Sequence, residues 1–163
     1  MNILVINGPN LNLLGEREPE VYGENSLEEL MMWLETSAEG SNHKFKFYQS
    51  NHEGMIIDAI HDERQWAQGL LINAGALSHY SYSIRDAISS VNIPTVEIHL
   101  SDIMHREDFR KISVLKDVCI QQIYGLGKSF NITDNSQLLL NYERLDREGE
   151  DTNVAMISYN ISF

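Results

Sequence analysis

The stretch Asn2-Ile3-Leu4-Val5-Ile6 runs straight into the loop Asn7-Gly8-Pro9-Asn10-Leu11-Asn12. A short apolar run that stops at a glycine and a proline is typical of a buried strand followed by a turn. The same arrangement returns at Leu70-Leu71-Ile72, before Asn73, and at residues 94–98, before His99. Buried strands that each end in polar residues therefore decide the fold and indicate where its chemistry lies.

Helical patterns alternate with these strands. A capping box formed by Ser26 and Glu29 starts the first helix. The spacing of apolar residues predicts further helices at residues 55–66, 82–91 and 136–145. Two more strands, at residues 44–49 and 118–123, bring their number to five. Such alternation predicts an α/β fold with a doubly wound parallel sheet, and five strands favour the flavodoxin-like order 2-1-3-4-5.

The composition restricts the possible partners and the domain count. The 163 residues include 24 acidic and 12 basic side chains, which gives a formal charge of −12. An acidic chain is unsuited to nucleic acids, whose phosphates bind clusters of lysine and arginine. A hydrophobic content of 42% excludes a disordered chain. We expect one catalytic domain over 1–147 and an acidic tail of unknown role over 148–163.

The expected location is the cytoplasm, without a membrane partner. No apolar run reaches the length of about 20 residues that a membrane helix needs. No basic segment precedes the first strand, so a signal peptide is not expected. The single cysteine, Cys119, excludes an internal disulfide and any multi-cysteine metal site.

Polar side chains follow three of the predicted strands. Asn7 to Asn12 follow the first strand, Asn73 and His79 follow the third, and His99 and Ser101 follow the fourth. In open parallel sheets, ligands bind beyond the carboxyl ends of the strands, near the point where the strand order reverses. We therefore expect these three groups to form one site.

The loop over residues 8–23 is longer than the usual strand–helix connection of about 2–6 residues, which favours a binding loop. It carries Arg17 and Tyr22. A guanidinium beside a phenol favours the phenolate, and a phenolate can act as a general base. The alternative is a solvated arginine and a tyrosine that only packs.

Glu97 and His99 lie two residues apart, which places both side chains on one face of a strand. A carboxylate fixes the tautomer of an imidazole and favours its protonated form, which suits a proton donor. One alternative is a histidine that is hydrogen-bonded in the core. Another is a metal site of His99, Asp102 and His105, although their spacing matches no strong metal motif.

A phenolate base, an imidazolium acid, carboxamides and two arginines, Arg17 and Arg110, suit one kind of reaction. They suit proton abstraction next to a carbonyl, coupled to loss of a hydroxyl from a small polyhydroxylated anion. Two other functions stay open from the residues alone. One is a flavodoxin-like binding or response module without chemistry. The other is a nucleotide hydrolase, which the absence of a phosphate-loop lysine disfavours.

The same residues carry a family resemblance. Residues 8–23, Gly-Pro-Asn-Leu-Asn-Leu-Leu-Gly-Glu-Arg-Glu-Pro-Glu-Val-Tyr-Gly, resemble the N-terminal signature of type II 3-dehydroquinate dehydratases. Further matching motifs follow in order, at residues 49–54, at 72–76 with His79, at 97–101 and at 106–110. The resemblance covers residues 2–127 and implies a hydro-lyase that converts 3-dehydroquinate to 3-dehydroshikimate in the shikimate pathway of aromatic amino acid biosynthesis. It also implies a flavodoxin-like fold, a homo-dodecamer built as a tetramer of trimers, and no metal or cofactor.

The resemblance implies a role for each catalytic position. Tyr22 would remove the C2 proton, with Arg17 favouring its phenolate. Asn10 would hold a water molecule that stabilises the enolate. His99 would protonate the departing C1 hydroxyl, and Glu97 would orient His99. Arg17 and Tyr22 would belong to a lid that closes over the substrate.

The resemblance also implies the substrate-binding positions. Asn73 and the backbone N–H groups of Leu100 and Ser101 would anchor the carboxylate. His79 and Arg110 would bind ring hydroxyls, and Asp86 would reach into the site of a neighbouring subunit.

Two departures from the family pattern stand out. Ala74 occupies a position where the family usually has proline, which leaves the turn less rigid but removes no functional group. The last twenty or so residues match no family motif.

Overall fold

The structure is a computed structural model that describes residues 1–17, 22–37, 40–125, 139–141 and 158–160. Its central sheet has five parallel strands: β1 (Asn2–Asn7), β2 (Lys44–Gln49), β3 (Gly69–Asn73), β4 (Thr95–His99) and β5 (Gln121–Tyr124). Their order is β2-β1-β3-β4-β5, which confirms the predicted doubly wound arrangement. The strand order reverses between β1 and β3, and a crevice forms there in such sheets.

Three helices cover the two faces of the sheet: α1 (Leu27–Thr36), α2 (Glu53–Asp62) and α3 (Tyr82–Val91). Successive side chains of a strand point to opposite faces. Leu4 and Ile6 of β1 therefore pack with α2 and α3, whereas Ile3 and Val5 pack with Leu34 of α1. The predicted capping box is present, since Ser26 accepts a hydrogen bond from the Glu29 amide and Glu29 reaches back to Ser26. Helices on both faces of the sheet are thus confirmed.

Some boundaries differ from those predicted. α2 stops at Asp62, four residues early, because the chain turns where the amides of Trp66 and Ala67 bond to the Glu63 carbonyl. β5 begins three residues late, because Lys116–Val118 form a 3-10 turn.

The predicted last helix over 136–145 is wrong at its centre. Leu139–Asn141 form β6, which pairs antiparallel with β7 (Ser158–Asn160) because backbone pairing between these two segments replaces local helical bonds. The remaining residues of that predicted helix lie outside the described ranges. β6 lies before residue 147 and β7 lies after it, so this pairing joins the two predicted units. The predicted division into a domain over 1–147 and a tail over 148–163 stays a prediction.

Candidate active site

A cleft with about 680 Å³ of space, part of it open to solvent, lies at the carboxyl ends of β1, β3 and β4. The loops that follow these three strands line it together, as the sequence predicts. Nine of the predicted site residues line this cleft: Asn10, Arg17, Tyr22, Asn73, His79, His99, Leu100, Ser101 and Arg110.

The loop after β1 is fixed by residues at the end of β2. Asn10 has the left-handed φ of 67°, and its amide donates a hydrogen bond of 2.9 Å to Oδ1 of Asn51. The Gln49 side-chain amide donates to the Gly8 carbonyl at 3.3 Å and to Asn51 Oδ1 at 3.2 Å. Sequence reasoning assigned no role to Gln49 or Asn51. In the sequence, only their position within the family-like motif at residues 49–54 pointed to them.

Tyr22 lies beside two guanidinium groups rather than one. Arg106 Nη1 donates a hydrogen bond of 3.2 Å to the Tyr22 hydroxyl. The guanidinium carbons of Arg17 and Arg106 each lie 5.8 Å from the centre of the Tyr22 ring. The predicted pair of Arg17 and Tyr22 is therefore present, and Arg106 is a neighbour that sequence reasoning missed. In the sequence, its position within the family-like motif at residues 106–110 pointed to it.

Glu97 and His99 form a buried pair on β4. His99 Nε2 lies 2.9 Å from Glu97 Oε1. His99 is 4% exposed and Glu97 is 0% exposed. Burial acts to raise the pKa of Glu97, but the hydrogen bond and charge of His99 and a hydrogen bond from Ser113 hold that pKa below its ordinary value. Glu97 is therefore a carboxylate at neutral pH. It engages Nε2 of His99 and leaves Nδ1 as the nitrogen that can meet a ligand.

Two further side chains bond the Glu97 carboxylate. The Ser113 hydroxyl donates to Oε1 at 2.6 Å, and the Gln122 amide donates to Oε2 at 2.9 Å. These residues follow Glu97 by 16 and 25 positions. Sequence reasoning missed both, because no local pattern connects them to Glu97.

His79 stacks on His99, with ring centres 5.9 Å apart and an interplanar angle of 19°. Its Nδ1 lies 2.8 Å from the Ile112 carbonyl, so Nδ1 carries the hydrogen and donates it. Burial lowers the pKa of His79; the charges of His99 and Arg110 act in the same direction, against the hydrogen bond to Ile112. His79 is thus neutral at pH 7, and its Nε2 can accept a hydrogen bond from a ligand hydroxyl.

The residues of the alternative metal site are divided between two pairs. His105 Nδ1 lies 2.7 Å from Asp102 on an exposed turn, whereas His99 is bonded to Glu97. Within the described part of the chain, no group of three or more histidine, cysteine or acidic side chains could hold a metal ion. The structure therefore gives no support to a ligand cluster of His99, Asp102 and His105.

The other predicted positions differ in their surroundings. The Asn73 side chain is buried, and its Oδ1 accepts a hydrogen bond of 3.2 Å from the Gly75 amide. Arg110 bonds Glu107 at 2.9 Å while it lines the cleft. The Asp86 side chain lies on α3 outside the cleft and is 80% exposed. Within one chain, Asp86 therefore has no place in the cleft.

A model of the protein family described as Dehydroquinase class II matches residues 1–133. The chain belongs to this family. The 3-dehydroquinate dehydratase of Trichodesmium erythraeum is 54% identical over 126 residues, which are 77% of this chain and 84% of that protein. The 3-dehydroquinate dehydratase of Bacillus subtilis is 51% identical, again over 77% of this chain and over 85% of the relative.

Solved structures of the family have the same fold. The crystal structure of the type II dehydroquinase from Butyrivibrio crossotus superposes with a TM-score of 0.75 at 49% identity, over 78% of this chain and 89% of that one. The resemblance drawn from the loop motifs is thus confirmed. Residues 134–163 lie beyond the family match. In the described ranges, no helix is both long and apolar enough to cross a membrane.

Proposed function

We propose that the chain is a hydro-lyase that converts 3-dehydroquinate to 3-dehydroshikimate and water, as a step of the shikimate pathway. Family membership supports this activity, because the relatives are named 3-dehydroquinate dehydratases. One observation carries the proposal. A phenol bonded by a guanidinium and an imidazole bonded by a buried carboxylate line the same cleft. These are a general base and a general acid in one site.

In this proposal Tyr22 is the base. Its phenolate removes the proton from C2, and the electron pair of the C2–H bond moves toward the neighbouring carbonyl to form an enolate. Arg106 bonds the Tyr22 hydroxyl, and the guanidiniums of Arg17 and Arg106 both lie beside the Tyr22 ring. Asn10 holds a water molecule that donates a hydrogen bond to the enolate oxygen. The backbone of Asn10 is fixed for this role by Asn51.

His99 is the acid in this proposal. The enolate collapses to a carbon–carbon double bond between C1 and C2, and the C1 hydroxyl leaves with a proton from His99 as water. Because Glu97 engages Nε2, the proton leaves from Nδ1. The buried Glu97 carboxylate fixes the orientation of the His99 ring for this transfer.

The remaining cleft residues bind the substrate in this proposal. The Asn73 side chain and the backbone N–H groups of Leu100 and Ser101 hold its carboxylate. His79 accepts a hydrogen bond from a ring hydroxyl through Nε2, as its neutral form allows. Arg110 donates to a second hydroxyl. No metal or cofactor has a part in these steps.

The proposal includes an assembly, a dodecamer built as a tetramer of trimers, in the cytoplasm. Two exposed side chains on α3, Asp86 at 80% and Tyr82 at 66%, support a contact between subunits there. Asp86 would then enter the cleft of a neighbouring subunit. Measurement of the solution mass by light scattering tests this arrangement. Full activity in a monomer would contradict a role for Asp86 across subunits.

The test is an ultraviolet assay for the conjugated enone carboxylate that forms from 3-dehydroquinate. The parent protein, treated with a chelator, should form product. Tyr22→Phe should form almost none while it still binds substrate. Tyr124→Phe is the matched control, because Tyr124 is exposed at the end of β5 and does not line the cleft. A folded, assembled parent that binds the substrate without turnover would favour the binding-module function instead.

A further inference from the structure

The Glu97 carboxylate is held from three elements of the structure. His99 and the Ser113 hydroxyl both bond Oε1, and the Gln122 amide bonds Oε2. Glu97 and Gln122 are directly paired across β4 and β5. Side chains in such a cross-strand pair lie on the same face of the sheet and within reach of each other. Both oxygens of the carboxylate are therefore occupied by donors.

Burial makes these donors necessary. A carboxylate without water is costly unless hydrogen bonds satisfy its lone pairs, and otherwise it takes up a proton or reorients. Glu97 is fully buried. If only His99 bonded it, the second oxygen would have no donor. A protonated or rotated Glu97 would no longer hold the hydrogen of His99 on Nε2.

The Ser113 segment also connects the two stacked histidines. The Ile112 carbonyl accepts from His79, and the Ser113 hydroxyl bonds the carboxylate that orients His99. The segment itself is anchored by its backbone, since the Val114 amide donates to the Ser78 carbonyl at 2.8 Å. Removal of the Ser113 hydroxyl leaves this backbone bond in place, although it also removes the acceptor of the Leu115 amide at 3.1 Å and a contact with the Ser78 carbonyl at 3.2 Å.

The ionisable groups around the pair agree with a charged Glu97. His79 stacks on His99, and the Arg110 charge acts on His79. Cys119 lies behind the carboxylate. Burial, with a contribution from the Glu97 charge, raises the pKa of Cys119 to about 12. Cys119 is thus a neutral thiol and adds no charge next to Glu97.

From this geometry we propose that Ser113 and Gln122 are positioning residues for the acid. They hold the Glu97 carboxylate in one orientation, and through it they keep the hydrogen of neutral His99 on Nε2 and direct Nδ1 toward the substrate. This inference rests on the proposed function for the role of His99 in turnover. The tautomer of His99 can be measured whether or not the chain turns over substrate.

The test uses Ser113→Ala and Gln122→Met, each on its own in the full chain. Gln121→Met is the matched control, because Gln121 precedes Gln122 on β5 and pairs with Val96, on the opposite face of the sheet. Ser113→Thr keeps the hydroxyl and should restore the parent behaviour. Two readouts are compared: kcat and KM for 3-dehydroquinate, and the nitrogen-15 chemical shifts of His99 above its titration range.

We expect kcat to fall by about 10- to 100-fold in Ser113→Ala and Gln122→Met, the usual range for removal of an outer-shell partner, with KM within about twofold. The His99 shifts should change from one Nε2–H tautomer to a mixture. Gln121→Met and Ser113→Thr should resemble the parent.

The two proposals fail in different ways. If the parent forms no product but the variants still mix the His99 tautomers, the proposed function is wrong and the positioning role stands. If His99 keeps a single tautomer in both variants and kcat stays within about twofold of the Gln121→Met value, the positioning role is wrong. If either Ser113→Ala or Gln122→Met does not fold, the folded variant alone tests the positioning role.

Discussion

The two sides of the cleft hold their reactive groups by different interactions. Tyr22 is half-buried, and two guanidiniums lie beside its ring. His99 is buried at the end of a central strand, and the carboxylate that orients it is fully enclosed by hydrogen-bond donors. Charge acts on the base in partial contact with solvent, whereas hydrogen bonds hold the acid inside the core. Only on the acid side should function and stability depend on the same contacts.

The largest expected effects test that difference directly, with one variant on each side of the cleft. Glu97→Gln keeps the size of the side chain but turns its second oxygen into a donor that faces the Gln122 amide. We expect the free energy of unfolding to fall by about 1–3 kcal/mol, the cost of a buried polar group without a partner. The value of kcat should fall on the order of 100-fold, as for other outer-shell partners.

Tyr22→Phe is the counterpart on the base side. Its activity should be lost while its free energy of unfolding stays within about 0.5 kcal/mol of the parent, as for a partly exposed substitution. Urea denaturation and steady-state kinetics on both variants give the comparison. If Glu97→Gln unfolds like the parent, the two sides of the cleft do not differ as described.

The next effect concerns the cations on the base side. Arg106→Ala and Arg17→Ala should each lower kcat, because each removes a positive charge beside the proposed base. We expect a loss of about 10- to 100-fold, since a hydrogen bond to a charged group contributes about 1.5–3 kcal/mol. Arg64→Ala, which removes a cation that bonds the His61 carbonyl and does not line the cleft, is the control.

Steady-state values of kcat for the three arginine variants provide the measurement. If Arg106→Ala has the kcat of Arg64→Ala while Arg17→Ala has a lower one, the effect belongs to Arg17 alone. The hydrogen bond between Arg106 and Tyr22 would then only orient the ring.

A smaller effect should appear on the acid side as a pH dependence of stability. The folded-state pKa of Glu97 lies below its ordinary value of 4.5. Between these two values the unfolded chain binds more protons, so stability rises with pH in that window. The contribution is complete above about pH 4.5 and is lost as pH falls through the folded-state value.

The measurement compares the parent with Glu97→Gln at several pH values from 6 down to 3. Their difference in unfolding free energy should shrink by at most about 1.4 kcal/mol for each pH unit inside the window. A constant difference would mean that Glu97 has the same pKa in both states.

The two sides also differ in what the sequence could predict. Glu97 and His99 were found because a separation of two residues places side chains on one face of a strand. Asn10 and Asn73 were found because each follows a buried strand in a parallel sheet. Such relations are local, or follow from the fold class alone.

The missed residues depend on longer-range geometry. Gln122 meets Glu97 only because β5 lies next to β4 in a defined register. Ser113 contacts Glu97 and Arg106 contacts Tyr22 from a segment of 3-10 turns whose path no periodicity predicts. The predicted helix over 136–145 was wrong at 139–141, because helical spacing of apolar residues is also compatible with a short strand when a partner segment is available.

A weak effect of salt should reveal the charge balance of the whole chain. The net charge of −12 opposes the approach of an anion, whereas Arg17 and Arg110, which line the cleft, attract it only at short range. Screening reaches about 8 Å at physiological ionic strength. We expect kcat/KM to rise by about twofold from low to physiological salt, because the long-range repulsion is screened more than the local attraction. Measurement of kcat/KM at constant pH with added sodium chloride checks this, and a falling profile would show that the arginines dominate at long range.

The smallest effect is expected in the turn after β3, where Ala74 stands at a position for which the family resemblance implies proline. Ala74 is fully buried, with φ of −76° and ψ of 1°. Proline favours φ near −65 ± 15°, and Asn73 before it is already extended in β3, as a residue before proline prefers. Ala74→Pro should therefore stabilise the chain by about 0.4–1 kcal/mol, because it restricts the unfolded state, and should leave kcat unchanged.

Gly75→Ala gives the opposite case at the neighbouring position. Gly75 has φ of 58°, and an added Cβ would lie 3.2 Å from the Pro9 carbonyl oxygen. A side chain there should destabilise the chain by about 1 kcal/mol or more, because the backbone is left-handed and the loop after β1 is close. Thermal unfolding of the two variants checks both signs. If Ala74→Pro is destabilising as well, the turn needs the amide hydrogen of residue 74, and the alanine is then an adaptation of this chain rather than a neutral loss of rigidity.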